Sequence, residues 1–132
     1  MDRIEELLEM PYWVIDILPF QVPADSAGQY FTVEKYYYTG PRRPEIKKKH
    51  ADILLKLNCY RDLVLAEEGE KNPAPEALVE AVLTRRVILF TGEPMIVSEP
   101  DDTCLTVYGP DEALLELLRM LAAGEGMYLW QP

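Results

Sequence analysis

The chain has 132 residues, 23 acidic against 13 basic, a formal charge of −10 and a hydrophobic fraction of 48%. That length suits one ordinary domain, here read as a single α+β domain over residues 1–132, burying about two-thirds of its unfolded surface. The acidity opposes bulk nucleic-acid binding, which draws most of its affinity from phosphate neutralisation.

The opening run Met1-Asp2-Arg3-Ile4-Glu5-Glu6 is charged and holds no secretory hydrophobic region. Ile4, Leu7 and Leu8 share a helical face, and Pro11 stops that helix. Tyr12 to Leu18 is β-branched and aromatic and predicts a strand, with Trp13, Ile15 and Ile17 on one face. Pro19 and Pro23 bracket an extended Phe20-Gln21-Val22 run, and Ala24 to Gly28 reads as a turn. Tyr30 to Tyr38 is expected as a strand from its aromatic content, although Ser26 to Gln29 could cap a helix ending at Thr39-Gly40.

Pro44 to Asn58 is helical, with Ile46, His50, Ile53, Leu54 and Leu57 as its apolar stripe and the lysines largely around it. Arg61 to Ala66 reads as a short strand. A helix opened by a proline after Asn72 or Ala74 follows, burying Leu78, Ala81 and Val82. Val87–Phe90, Met95–Ser98 and Cys104–Tyr108 form an antiparallel meander with short turns. Pro110 suits the first position of a helix burying Leu114, Leu117, Leu118 and Leu121, and Met127 to Trp130 closes as a strand. The fold class is therefore α+β: a mainly antiparallel sheet with three longer helices largely on one face.

Eight of the thirteen aromatic residues fall between Tyr12 and Tyr38, more apolar surface than a soluble monomer normally leaves bare. They form core, line a pocket or face a partner. The leading expectation is a non-catalytic interaction or regulatory module, self-associating or binding a protein through this segment, Tyr36, Tyr37 and Tyr38 foremost. Residues 67–132 hold thirteen acids and four bases, which suits a basic partner.

Two other classes compete. Small-molecule binding, with or without catalysis, would use a pocket walled by Trp13, Tyr36, Tyr38 and Trp130, with Asp16, Glu34 and His50 orienting the ligand. Against this, a lone histidine on an apolar stripe reads first as a core residue, and Asp16, Glu34 and Lys35 read equally well as charges guarding an edge strand. Anion or nucleic-acid contact would use Arg42, Arg43, Lys47, Lys48 and Lys49, but three consecutive lysines on a helix point three ways.

Asp101-Asp102 lacks the alternating oxygen ligands of a calcium loop and reads as a turn. Cys59 and Cys104 have no metal or redox spacing, so buried free thiols, a cytoplasmic location, no membrane, no metal and no cofactor are expected. No phosphate loop, nucleotide fingerprint or nucleophile elbow occurs, and enzymatic activity stays open.

Overall fold

The computed structural model describes residues 3–19, 28–39 and 43–132, and for Tyr30, Tyr38 and Thr39 the backbone alone. The expected extended run at 20–22, the turn residues 24–27 and Arg42 lie outside the described residues. Within them the chain runs α1 (Arg3–Leu8), β1 (Tyr12–Asp16), α2 (Gln29–Thr39), α3 (Arg43–Asn58), β2 (Val64–Leu65), α4 (Pro75–Thr84), β3 (Val87–Phe90), β4 (Met95–Ser98), β5 (Leu105–Tyr108), α5 (Glu112–Gly124) and β6 (Tyr128–Trp130).

The architecture is α+β. Six antiparallel strands form one sheet in the order β2-β3-β4-β5-β1-β6. Short turns make β3, β4 and β5 a meander, whereas β1 inserts between β5 and β6, pairing Tyr12 with Tyr108 and Val14 with Trp130.

Residues opposed across antiparallel strands point to the same face. One row holds Val87, Ser98, Leu105, Ile15 and Leu129. On this face α3 packs between α4 and α5. The 3.6-residue period brings Ile53, Leu54 and Leu57 of α3, Leu78 and Val82 of α4, and Leu114 and Leu118 of α5 onto it, all fully buried. Each such side chain contributes about 1.5–3 kcal/mol of burial free energy, which holds the helices down.

The opposite face carries Phe90, Met95 and Tyr108 in one row and Val97, Thr106, Val14 and Trp130 in the next. There α1 covers one end: the Arg3 guanidinium sits 4.1 Å above the Phe90 ring and also donates to the Gly92 carbonyl. No residue of α1 is itself buried.

Residues 30–38 are helical, not extended. Aromatic content favours strands only where a pleated, half-buried surface awaits it, and here the segment joins none of the strand pairings of the sheet and packs against α3. The helix is under way by Thr32, whose N–H donates to the Gly28 carbonyl at 3.2 Å, and it sets Tyr37 against the core. A smaller correction concerns α5: Asp111, not Pro110, opens it, with Oδ1 accepting from Leu114 N at 2.7 Å. Among the described residues no helix is long and apolar enough to cross a membrane.

Candidate functional site

The stripe of α3 that faces the sheet contains two titratable side chains. Lys47 and His50 lie three residues apart, in line with Leu54 and Leu57, and are 1% and 0% exposed. The Lys47 ammonium donates to Ser98 Oγ, at the end of β4, at 2.8 Å. Burial brings its pKa down to about 8, against the upward pull of Asp102, Cys104, Glu99 and Asp101. Neither ring nitrogen of His50 makes a hydrogen bond of normal geometry. Burial and the neighbouring Lys47 charge hold the imidazole at about 3, hence neutral, against the upward pull of the nearby Thr103 backbone.

Asp16 closes the site from the far end of β1. Its Oδ1 accepts from Ile17 N at 2.7 Å and from Thr103 Oγ1 at 3.2 Å. Burial pushes its carboxyl up to about 6; those two hydrogen bonds pull it down, and Glu34 and Asp102 add upward repulsion. Burial also raises Glu34 of α2. Cys104 is half-buried and free, its thiol pushed up by burial and by the Asp102 and Asp16 charges, which disfavours the reactive thiolate. Thr103 is thus the link, its hydroxyl on Asp16 and its backbone beside His50.

Asp16 is not an edge-strand charge, because β1 lies inside the sheet between β5 and β6. Glu34 and Lys35 are not strand residues at all; both lie on α2. Cys59 is exposed rather than buried, because it sits beyond the inward stripe at the end of α3.

The expected aromatic pocket does not assemble from its four walls. Val14 pairs with Trp130, so the adjacent Trp13 points to the helix-covered face and Trp130 to the other. Trp130 Nε1 donates to the Leu18 carbonyl at 3.0 Å. Tyr36 is 51% exposed and meets the Tyr37 ring edge-on at 5.3 Å. The side chain of Tyr38 lies outside the described residues. Clefts lie elsewhere among the described residues, including one of about 350 Å³ beside Ile4, Leu65 and Arg85, one of about 390 Å³ beside Pro19, Arg119 and Leu129, one of about 490 Å³ beside Val79 and Leu83, and one of about 570 Å³ beside Arg3 and Met10.

The expected basic cluster divides. Lys47 is inside, Lys48 and Lys49 are exposed, and Arg43 Nη1 donates to the Asp101 carbonyl at 3.1 Å. No group of three or more potential metal-ligating side chains gathers among the described residues.

The site residues that the sequence reading passed over are Lys47 as a buried group, Ser98 and Thr103. Lys47 had a signal, since it lies three residues before His50 and seven before Leu54 on the same helical stripe. Ser98 and Thr103 had none. Comparison of the chain with protein-family models, with curated proteins and with solved structures finds no match.

Proposed function

We propose that this protein is a non-catalytic interaction module that docks a partner protein on the outer face of α2. The observation that carries the reading is the exposure of Val33 and Tyr36, at 37% and 51%, three residues apart on one side of a helix whose Glu34 and Tyr37 alone turn inward among its described side chains; Phe31, also 37% exposed, lies on the opposite flank. Large apolar side chains left in water on one helix are the raw material of interface hot spots. Tyr12 stands apart, at the opposite end of β1 and stacked on Tyr108 at 5.6 Å, and is not part of this surface.

The titratable cluster supports the non-catalytic half of the reading. Lys47, His50 and Ser98 are each at most 1% exposed, so a substrate atom has no approach to them. Their arrangement suits a polar network that fixes how α3 meets the β4–β5 end of the sheet.

The test is a photo-crosslinking residue placed at Tyr36 and, as control, at Tyr60, which is 65% exposed in the turn after α3. The expected result is a discrete crosslinked species from position 36, absent from position 60 and lost when Val33→Ser is added. Identical patterns from both positions would sink the proposal.

A further inference from the structure

One row of the sheet is closed off by very little. Phe90, Met95 and Tyr108 stand side by side on the face opposite α3, α4 and α5. Met95, in the middle, is 0% exposed. The cover over this row is α1, laid across it from end to end. At one end the Arg3 guanidinium lies 4.1 Å above the Phe90 ring. At the other, Met10 and Leu7 pack beside Gly109, where a Cβ would sit 3.6 and 3.7 Å from them. Yet α1 is six residues long and none of them is buried. A helix that short does not hold itself together in water.

Its two ends are fixed unequally. Beyond Met10 the chain belongs to the sheet: Gly109 N donates to the Pro11 carbonyl at 2.8 Å, and Tyr12 pairs with Tyr108. The Arg3 end depends on one side chain. Its guanidinium meets only neutral partners among the described residues, the Phe90 ring and the carbonyls of Gly92 and Glu93. Contacts of that kind at a surface are individually weak. Clefts of about 350 Å³ beside Ile4 and about 570 Å³ beside Glu6 and Leu7 border the helix, so its flanks are not packed in.

We infer that α1 is a strap hinged at Pro11 and latched by Arg3, which opens while the sheet beneath stays paired and so bares the row Phe90, Met95 and Tyr108. Closed, the strap withholds that apolar row; open, it presents it. The opening gives up the Arg3 contacts, the half-buried Ile4 and Leu7, and the cover over Met95, far less than global unfolding gives up. The strap lies at the opposite end of β1 from Asp16, which Glu34 of α2 neighbours, so it stands or falls independently of the α2 docking face.

Methionine oxidation reads the strap directly, because peroxide converts an accessible thioether to its sulfoxide. Met95 lies under α1, whereas Met127, 4% exposed, belongs to the core on the helix-covered face and is the buried control. The background variant is Met10→Leu, which spares the half-exposed thioether at the hinge. Peroxide labelling and amide exchange are both followed by mass spectrometry across low urea concentrations. Met95 is expected to oxidise at a rate that low urea leaves unchanged, while the β4 amides stay protected. Arg3→Ala should speed Met95 about tenfold, a shift of about 1.4 kcal/mol, and move Met127 far less. Arg3→Lys keeps the charge but loses the planar fork and should fall between. Equal acceleration of Met95 and Met127 by Arg3→Ala would mean that α1 opens only with the whole sheet, and would overturn the inference. So would a Met95 rate that climbs with urea in step with β4 exchange, or one that ignores Arg3→Ala.

Discussion

The Nζ of Lys47 rests 2.8 Å from the Oγ of Ser98, so a fully buried ammonium leans on a neutral hydroxyl. Among the described residues no carboxylate forms an ion pair with it. Burying a charge without a counter-ion costs more than a hydroxyl returns. Lys47→Met keeps the length of the side chain and removes the charge, and is expected to stabilise the fold at pH 7 by about 1–3 kcal/mol. The folded lysine titrates at about 8, below its ordinary 10.5. Between those values the unfolded chain keeps a proton that the folded one has released, so wild-type stability rises with pH across that window. Urea unfolding of both proteins at pH 7 and pH 10 should show the gap between them shrinking.

His50 and Asp16 act in opposite directions in acid. His50 is held at about 3 against 6.5, so as pH falls from 6.5 the unfolded state binds a proton that the folded state refuses, and stability drops. Asp16 is held at about 6 against 3.8, so between those values the folded state takes the proton first and stability gains. The two offset one another from about 6 down to 3.8, and below that the histidine acts alone. His50→Leu should therefore flatten the acid limb of a melting-temperature profile, and Asp16→Asn should steepen it between pH 6 and 3.8. His50→Leu also removes a fully buried imidazole that makes no hydrogen bond of normal geometry, and should stabilise the protein at neutral pH by about 1–3 kcal/mol. A loss of stability at pH 7 would mean that the imidazole has a partner in solution.

Asp111 does two jobs with one carboxylate. It caps α5 through Leu114 N and forms a two-pronged pair with Arg61, at 3.0 and 3.2 Å. The pair is largely exposed and adds little, whereas the cap does not depend on charge. Asp111→Ala should cost about 1–2 kcal/mol, and Asp111→Asn should recover most of that loss. Chemical denaturation of the two variants separates cap from ion pair.

Asn72 sits at φ +50° and ties three segments together: its Oδ1 accepts from Leu63 N and Asn58 Nδ2, and its Nδ2 donates to Asp62. Asn72→Gly removes the backbone penalty but also all three bonds. It should destabilise by about 1–2 kcal/mol, and Asn72→Ala by more, since alanine keeps the unfavourable φ as well. Thermal melts that rank the two the other way would show that the backbone, not the side chain, governs this turn.

Most of the fold was legible because its strands and inward helices obey simple periods. Val87–Phe90 and Met95–Ser98 form where their β-branched runs and flanking turns place them, and α3 buries the stripe its sequence displays. The aromatic run at Tyr30 to Tyr38 was misleading because strand preference describes a fit to neighbouring strands, and the chain supplies it with a helix instead. The cluster was half-legible. Asp16 and His50 stood out as polar interruptions of apolar patterns, but their connection runs through Thr103, a distant residue on the loop before β5. Lys47 was hidden among three lysines, only one of which lies on the inward stripe.

The insertion of β1 between β5 and β6 sets the order in which the sheet can be completed. β3, β4 and β5 close short loops and can pair early, whereas Tyr12 must find Tyr108 across most of the chain, an entropic loss that only later contacts offset. Until then Leu105 and Val107 present an apolar border with no strand beside it. The refolding rate should accordingly be limited by the docking of β1, and substitutions in β1 should slow refolding more than equally destabilising ones in α4.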